Sequence, residues 1–244
     1  MYRIFYAERD ATLYEKNSSQ NTGIDEILEL TKIASGSRLN GVIQANQYNS
    51  RILIDFGSEI TTLTSAISDS EIPAINNSNI ASASAYINLR AMDANDLLLS
   101  YSLKAFPISE SWDNGNGKYS DTPKTKIGAS WKYRSGDAVA ETGVAWNTGS
   151  AHSAGTSAGT SEAAGGGAWI TGSTYEASQS FQNEDPDVRM DVTDIVKKWT
   201  DGTITNNGFI IKRPYADELS GDNLGTIKFF GRETHTIFVP RLEI

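Results

Sequence analysis

A short pattern at Gly155–Gly159, reading Gly-Thr-Ser-Ala-Gly, matches the G-x-S-x-G motif of serine nucleophiles. Such a serine reacts when a strand precedes it and a helix follows, because that geometry holds the hydroxyl on a strained turn. Here both flanks belong to a Gly/Ser/Ala/Thr tract from Asn147 to Gly167, inside a loop-rich insertion at about residues 113–182. A tract of this composition has neither a strand nor a helix pattern. We therefore attribute the match to composition and predict no serine nucleophile.

Titratable side chains form no other catalytic pattern. His152 and His235 are the only histidines and there is no cysteine, whereas a zinc site needs three or four such ligands. Glycoside hydrolysis needs two acids across a cleft, and among 30 acidic residues no spacing singles out a pair. Glu110 and Asp113 are candidates because Trp112 could stack on a sugar, but a core tryptophan beside solvated acids is the favoured interpretation. The sequence predicts no enzyme and no cofactor.

One loop carries oxygen ligands of the kind that Ca²⁺ prefers. Asp113, Asn114, Asn116 and Asp121 lie in a stretch that also contains glycines. The stretch lacks the spacing and the terminal glutamate of an EF-hand. An Asn-Gly turn without a metal is the favoured interpretation, and Asp113, Asn116 and Asp121 remain the calcium candidates.

Five tryptophans could form a binding platform, because tryptophan combines a large apolar area with one polar group. Trp112 and Trp199 lie in regular segments and are expected in the core. The other three lie in the insertion and are the candidate contact surface: Trp131, Trp146 and Trp169. If they bind a sugar, at least one of them should be exposed beside polar side chains.

The elements that would position these residues are strands, with one predicted helix. Val188–Trp199 begins as a strand and continues with apolar residues at helical spacing, Val192, Ile195, Val196 and Trp199. Asp191 is the predicted N-cap and Gly202 the C-terminal stop. We predict one short helix at about 191–200 that covers an open end of a β-sandwich.

Alternating apolar residues predict the strands. Ser82–Arg90 has the clearest alternation, and Leu97–Phe106 is expected to pair with it across a turn at Asp93–Asp96. Pro240, inside the last run at Thr236–Ile244, indicates an edge strand or a bulge. The other predicted strands are Tyr2–Tyr6, Ala11–Tyr14, Ile27–Leu30, Val42–Ile43, Arg51–Phe56, Gly208–Lys212 and Thr226–Phe230.

Length and charge limit the class of protein. The 244 residues suit a single sandwich domain over 1–244. A net charge of -9 argues against a nucleic-acid surface, and no run reaches the roughly 20 apolar residues of a membrane span. The N-terminus MYRIFYAERD has no apolar run of a signal peptide, so we expect synthesis in a cytoplasm without export.

Several segments, taken in order, resemble the DNRLRE-domain family of β-sandwich modules. They are ERDATLYE, SRILIDFG, SASAYINLRA, YSLKAFPISESW, MDVTDIVKKWTDGTITNNGFIIK and KFFGRETHTIFVPRLEI. The stretch from Lys118 to Gln182 departs from the family because it is much longer than in a typical bacterial module. Within it, GKYSD, GASWKYR, GGGAWITGS and SQSF resemble a branch found among virion proteins of tailed bacteriophages.

The resemblance implies an all-β, jelly-roll-like antiparallel sandwich with a non-catalytic role. We predict a structural component of a tailed-phage virion, such as a head, neck or tail protein, that contacts other virion proteins and copies of itself. The alternative is a carbohydrate-binding module that recognises a cell-surface or extracellular polysaccharide through the insertion tryptophans. Neither prediction involves nucleic acid or a membrane.

Overall fold

The structure is a computed structural model, and it describes residues 3–39, 42–57, 84–140, 142–146, 153–154, 165–182 and 185–244. The Gly155–Gly159 pattern and His152 lie outside these residues. The described residues form sixteen strands: β1 Ile4–Tyr6, β2 Arg9–Tyr14, β3 Ile27–Leu39, β4 Val42–Asp55, β5 Tyr86–Leu89, β6 Ala91–Asn95, β7 Ser100–Pro107, β8 Tyr133–Ser135, β9 Val144–Ala145, β10 Ser153–Ala154, β11 Ala168–Trp169, β12 Ala177–Gln182, β13 Val188–Asp191, β14 Phe209–Lys212, β15 Gly225–Phe230 and β16 Arg241–Glu243. They also form two helices, α1 Thr193–Thr200 and α2 Tyr215–Leu219.

Two antiparallel sheets make the sandwich. The smaller has the order β1-β16-β5-β13. The larger has the order β12-β7-β14-β4-β3-β15-β6, with β2 also paired to β4. Buried side chains from both sheets, such as Phe5 and Ile87 from the smaller and Ile52 and Phe229 from the larger, form one main core. The predicted all-β antiparallel sandwich is confirmed.

Helix α1 packs its apolar face into this main core. Ile195, Val196 and Trp199 are buried, and the Trp199 ring lies 4.5 Å from the Phe209 ring. The predicted helix is therefore confirmed, but its N-cap is Val192 and not Asp191. The Asp191 carboxylate instead accepts hydrogen bonds from the N–H and the hydroxyl of Thr193, two residues further on.

Two further observations concern the predicted helix: where it ends, and the presence of a second helix in the described residues. Gly202 follows the helix with a φ of 77°, as a C-terminal stop requires. A second helix, α2, was not predicted, because its five residues contain too few apolar positions to show a helical period.

The predicted pairing of Ser82–Arg90 with Leu97–Phe106 is wrong. Strand β5 pairs with β13 and β16 in the smaller sheet, whereas β7 pairs with β12 and β14 in the larger one. The chain changes sheets at Arg90, and Asp93 lies within β6, which pairs with β15. Alternation predicts a strand but not its partner, because the same apolar face fits either sheet.

The expectation of an edge strand or bulge at Pro240 is also wrong. Pro240 precedes β16, which lies between β1 and β5 in the smaller sheet. The missing N–H therefore removes no ladder hydrogen bond. The Pro240 carbonyl accepts a hydrogen bond from the Ala7 N–H at 3.0 Å.

A second apolar layer covers the outer face of the larger sheet. Successive strand residues point to opposite faces, so Ile52 and Ile54 enter the main core and Leu53 enters a separate cluster. Ile210 of β14 also belongs to this separate cluster. The insertion packs over these outward residues with its own apolar side chains, and the central strands are buried on both faces.

Strands β3 and β4 extend well beyond the rest of the sheet. The last residue of β3 that pairs with β15 is Lys32, and the first residue of β4 that pairs with β2 is Ser50. The β3–β4 ladder continues from Ile33↔Tyr48 to Leu39↔Val42, seven further residue pairs. We call this two-stranded extension the arm.

Candidate functional site

A buried ion cluster joins the larger sheet to α2. Glu218 accepts two hydrogen bonds from Arg51, at 2.9 Å from Nε and 2.8 Å from Nη2, and its Oε2 lies 2.8 Å from Lys212 Nζ. All three side chains are at most 4% exposed. Burial by itself raises the pKa of Glu218, but the Arg51 and Lys212 charges outweigh it and lower that pKa below its ordinary value. Glu218 is therefore a permanent anion that holds two cations.

The three insertion tryptophans are buried, so the expected exposed platform is wrong. Trp131, Trp146 and Trp169 are 3%, 3% and 4% exposed. The Arg51 guanidinium lies 4.6 Å from the Trp131 ring centroid and 5.1 Å from that of Trp169. Trp146 donates its Nε1–H to the Ser130 carbonyl at 2.9 Å. These tryptophans cover the outer face of the larger sheet. The rings of Trp131 and Trp169 also shield the Arg51 guanidinium from solvent, and their faces attract its positive charge.

The two tryptophans that were expected in the core are there. Trp112 is 1% exposed and donates its Nε1–H to the Asn207 carbonyl at 2.9 Å. Trp199 is 7% exposed in the main core. Glu110 and Asp113 therefore have no exposed tryptophan beside them that a sugar could stack on.

Gly166 closes the ion cluster from the insertion side, and its replacement gives a direct test. Its carbonyl accepts a hydrogen bond from Arg51 Nη1 at 2.7 Å, its φ is 79°, and an added Cβ would lie 2.3 Å from that nitrogen. We expect Gly166→Ala to lower the free energy of unfolding by about 2–3 kcal/mol.

Gly202→Ala is the matched control in urea unfolding. Its φ is 77° but no atom lies within 4 Å of the added Cβ, so only the backbone strain of about 1 kcal/mol should be measured. If Gly166→Ala and Gly202→Ala lower the free energy of unfolding by equal amounts, Gly166 does not constrain Arg51.

The structure places the calcium candidates in different surroundings. Asp121 Oδ2 accepts hydrogen bonds from the Lys118 N–H at 2.8 Å and the Thr125 hydroxyl at 2.6 Å, which lower the pKa of this carboxyl. Asp113 and Asn116 are exposed and share no hydrogen bond with Asp121. Within the described ranges, no group of three His, Cys, Asp or Glu side chains could hold a metal ion. Asp121 stabilises a local turn.

A groove of about 440 Å³ lies at the base of the arm. Three tyrosines line it: Tyr14 from β2, Tyr48 from β4 and Tyr119 from the insertion. The Tyr14 and Tyr119 rings are 4.8 Å apart and tilted by 49°, and Tyr119 is 45% exposed. We call this site the tyrosine groove.

The charged groups of the tyrosine groove are partly paired. Glu29 accepts a hydrogen bond from the Tyr14 hydroxyl at 2.8 Å, and its other oxygen lies 3.3 Å from Lys228 Nζ. Burial and the Glu29 charge raise the pKa of Tyr14, so its hydroxyl remains a donor. Lys16 Nζ lies 5.5 Å above the Tyr48 ring and has no ion pair within the described residues.

Sequence reasoning missed this groove for a physical reason. Tyr14 and Tyr119 are 105 positions apart and meet because the insertion folds back over β2. Tyrosine in a strand is common whether or not it binds a ligand. No local pattern in the sequence distinguishes these tyrosines from others.

Comparisons with known proteins leave the resemblance to the DNRLRE-domain family a prediction. No protein-family model matches the chain, and no curated protein matches its sequence. In the part of the chain that the structure describes, no helix has the length and apolar character needed to cross a membrane.

Proposed function

We propose that this chain is a non-catalytic structural component of a tailed-bacteriophage virion that acts through contacts with other virion proteins and with copies of itself. The order of its family-like segments and the phage-like strings of the insertion support this function. The arm is the structural observation that carries it. The alternative of a glycan platform on the insertion tryptophans loses its support, because those side chains are buried.

The arm suits a role in assembly. Seven residue pairs at roughly 3.4 Å per residue make a ribbon about 24 Å long. An isolated two-stranded hairpin is at best marginally stable in water. Pairing or packing with another subunit would stabilise the ribbon, so a neighbouring virion protein is the expected partner.

Shortening the arm tests this proposal. The variant replaces residues 34–47 with an Asn-Gly turn and keeps Ile33 and Tyr48, which line the tyrosine groove. We expect its thermal unfolding midpoint to stay within about 3 °C of wild type, because among the described residues the removed positions pair with no strand outside the arm. Mass spectrometry of purified phage particles should find the wild-type chain and miss the shortened one.

Two results would contradict the proposal. One is the absence of the wild-type chain from purified particles of a phage that encodes it. The other is normal incorporation of a folded chain with the shortened arm, which would show that assembly does not use the arm.

A further inference from the structure

We propose that β4 of the arm pairs edge to edge with β4 of a second copy of this chain, antiparallel and about a twofold axis. The inference rests on the proposed role of the arm in assembly and names its partner. Within the arm, residues 33–39 of β3 and 42–48 of β4 pair with each other and, among the described residues, with no other strand. Each of the two strands therefore has one open edge.

Two edge strands elsewhere in the described residues are protected against such pairing. The register of β6 with β15 shifts between Lys228 and Phe229, and a bulge of this kind turns an edge strand away from a neighbour. At the edge of β13, the Gln179 side chain accepts a hydrogen bond from the Arg189 N–H at 2.8 Å. The arm ladder has no such shift in register, and a long regular edge favours pairing with another strand.

The composition of the two strands identifies β4 as the one that pairs. Residues 42–48 read VIQANQY and contain no charged residue, no proline and no glycine. This composition is typical of segments that pair with identical copies of themselves. In the arm, β3 instead contains Gly36 and Arg38. A charge protects an edge and a glycine weakens a strand, so the β3 edge is the less suited to pairing.

Charge explains why two copies would meet through the arm. The net charge of -9 makes the bodies of two copies repel each other, and 21% of the chain is charged. Residues 33–48, however, contain a single charged residue, Arg38. The arm is about 24 Å long, which exceeds the roughly 8 Å over which charges interact at physiological salt. Paired arms therefore hold the acidic bodies beyond the range of their repulsion.

Pairing over all of residues 42–48 sets the register. Ala45 is the central residue, so the twofold axis passes beside it and Ala45 lies opposite Ala45 of the second copy. In the same register, Gln44 lies opposite Asn46 of the second copy. A twofold contact uses the same surface on both partners and closes. The expected product is a dimer in which both β4 edges are paired.

Light scattering of the full chain tests the contact. We expect wild type to have twice the 26.5 kDa mass of one chain. Ala45→Lys and Ala45→Glu should each weaken dimerisation at least about tenfold, because each places like charges directly opposite each other. An equimolar mixture of the two variants should recover the dimer, since opposite charges then face each other. Ala34→Lys, the same change on β3, is the matched control and should dimerise like wild type.

Crosslinking tests the register independently. The chain contains no cysteine, so one introduced cysteine has no partner within its own chain. Directly opposite residues of antiparallel strands have Cα atoms about 4.5–5.5 Å apart, within the range of about 4.4–6.8 Å that a disulfide needs. Ala45→Cys should form a crosslinked dimer on mild oxidation. Ala34→Cys should remain largely monomeric under the same conditions.

Three outcomes would overturn the proposal. They are a monomeric wild type that Ala45→Cys does not crosslink, a dimer that Ala45→Lys leaves unchanged, and the absence of a dimer from the mixture of Ala45→Lys and Ala45→Glu.

The particle experiment separates this inference from the proposed function. If Ala45→Lys enters particles like wild type while the chain with the shortened arm is excluded, the arm contacts a different virion protein and the pairing of two arms is wrong. If the dimer behaves as expected but purified particles lack the wild-type chain, only the proposed function is wrong.

Discussion

Glu218→Ala is expected to lower the free energy of unfolding by about 3–5 kcal/mol, because it leaves buried cations without their anion. Arg51 and Lys212 both contact this carboxylate, and no other carboxylate contacts either of them among the described residues. Burial, together with the Arg51 charge, lowers the pKa of Lys212 to about 8 even with Glu218 present. This ammonium therefore depends on the anion to remain charged at neutral pH.

The loss should be measured by urea unfolding at pH 7, with Glu176→Ala as the control. Glu176 pairs with Lys104 at the surface, and both side chains are partly exposed. Such pairs contribute about 0–1 kcal/mol. Similar losses in the two variants would contradict a special role for the buried cluster.

A triple variant separates unpaired charge from lost packing. Arg51→Met, Lys212→Met and Glu218→Leu together remove every charge of the cluster while they fill much of its volume. We expect this variant to recover most of the stability that Glu218→Ala loses, as in other proteins whose buried ion pairs are replaced by apolar residues. If the triple variant is no more stable than Glu218→Ala, packing and not charge explains the loss.

Asp10→Asn is expected to change how stability depends on pH. Burial raises the pKa of Asp10 from 3.8 to about 7, against the opposing hydrogen bond from the Arg232 N–H. Its Oδ1 has no hydrogen-bond partner among the described residues. The folded state therefore keeps this proton at a pH where the unfolded chain releases it, so Asp10 makes wild type less stable as pH rises from about 4 to about 7.

Asparagine does not ionise, so the free energy of unfolding of Asp10→Asn should rise relative to that of wild type between pH 5 and pH 8. Between these two pH values the gain in unfolding free energy is about 2–3 kcal/mol, since the folded-state pKa of about 7 lies two units above pH 5 and one pKa unit corresponds to about 1.36 kcal/mol. Urea unfolding of both proteins at the two pH values measures it. The exposed Asp113→Asn is the control and should give no such change. A difference between Asp10→Asn and wild type that is constant with pH would mean that Asp10 stays ionised in the folded protein.

The sequence by itself determined the main core and the helix that closes it. Residues in strands alternate between two faces, so Ile52 and Ile54 identify one side of β4 without knowledge of the partner strand. Trp199 lies on the predicted apolar stripe of α1 and is buried there. These features depend on neighbours within a few positions, and periodicity reads such neighbours directly.

Only the tertiary structure decided which strands pair and what covers the outer face of the larger sheet. Leu53 and Ile210 are apolar although they occupy positions on the outer face of the larger sheet, where an alternating pattern would have polar residues. Apolar residues on both faces indicate a strand that is buried on both sides. Apolar residues on the outer face do not identify the segment that covers them. The covering segment is the insertion, whose tryptophans the sequence analysis places at the surface.

The ion cluster and the tyrosine groove also arise only in three dimensions. Glu218 meets Arg51 across 167 positions, and Tyr14 meets Tyr119 only where the insertion crosses β2. A charged or aromatic side chain has the same local pattern whether it faces solvent or a partner. Its chemistry depends on burial and on the groups that the fold brings beside it, and those are properties of the tertiary structure alone.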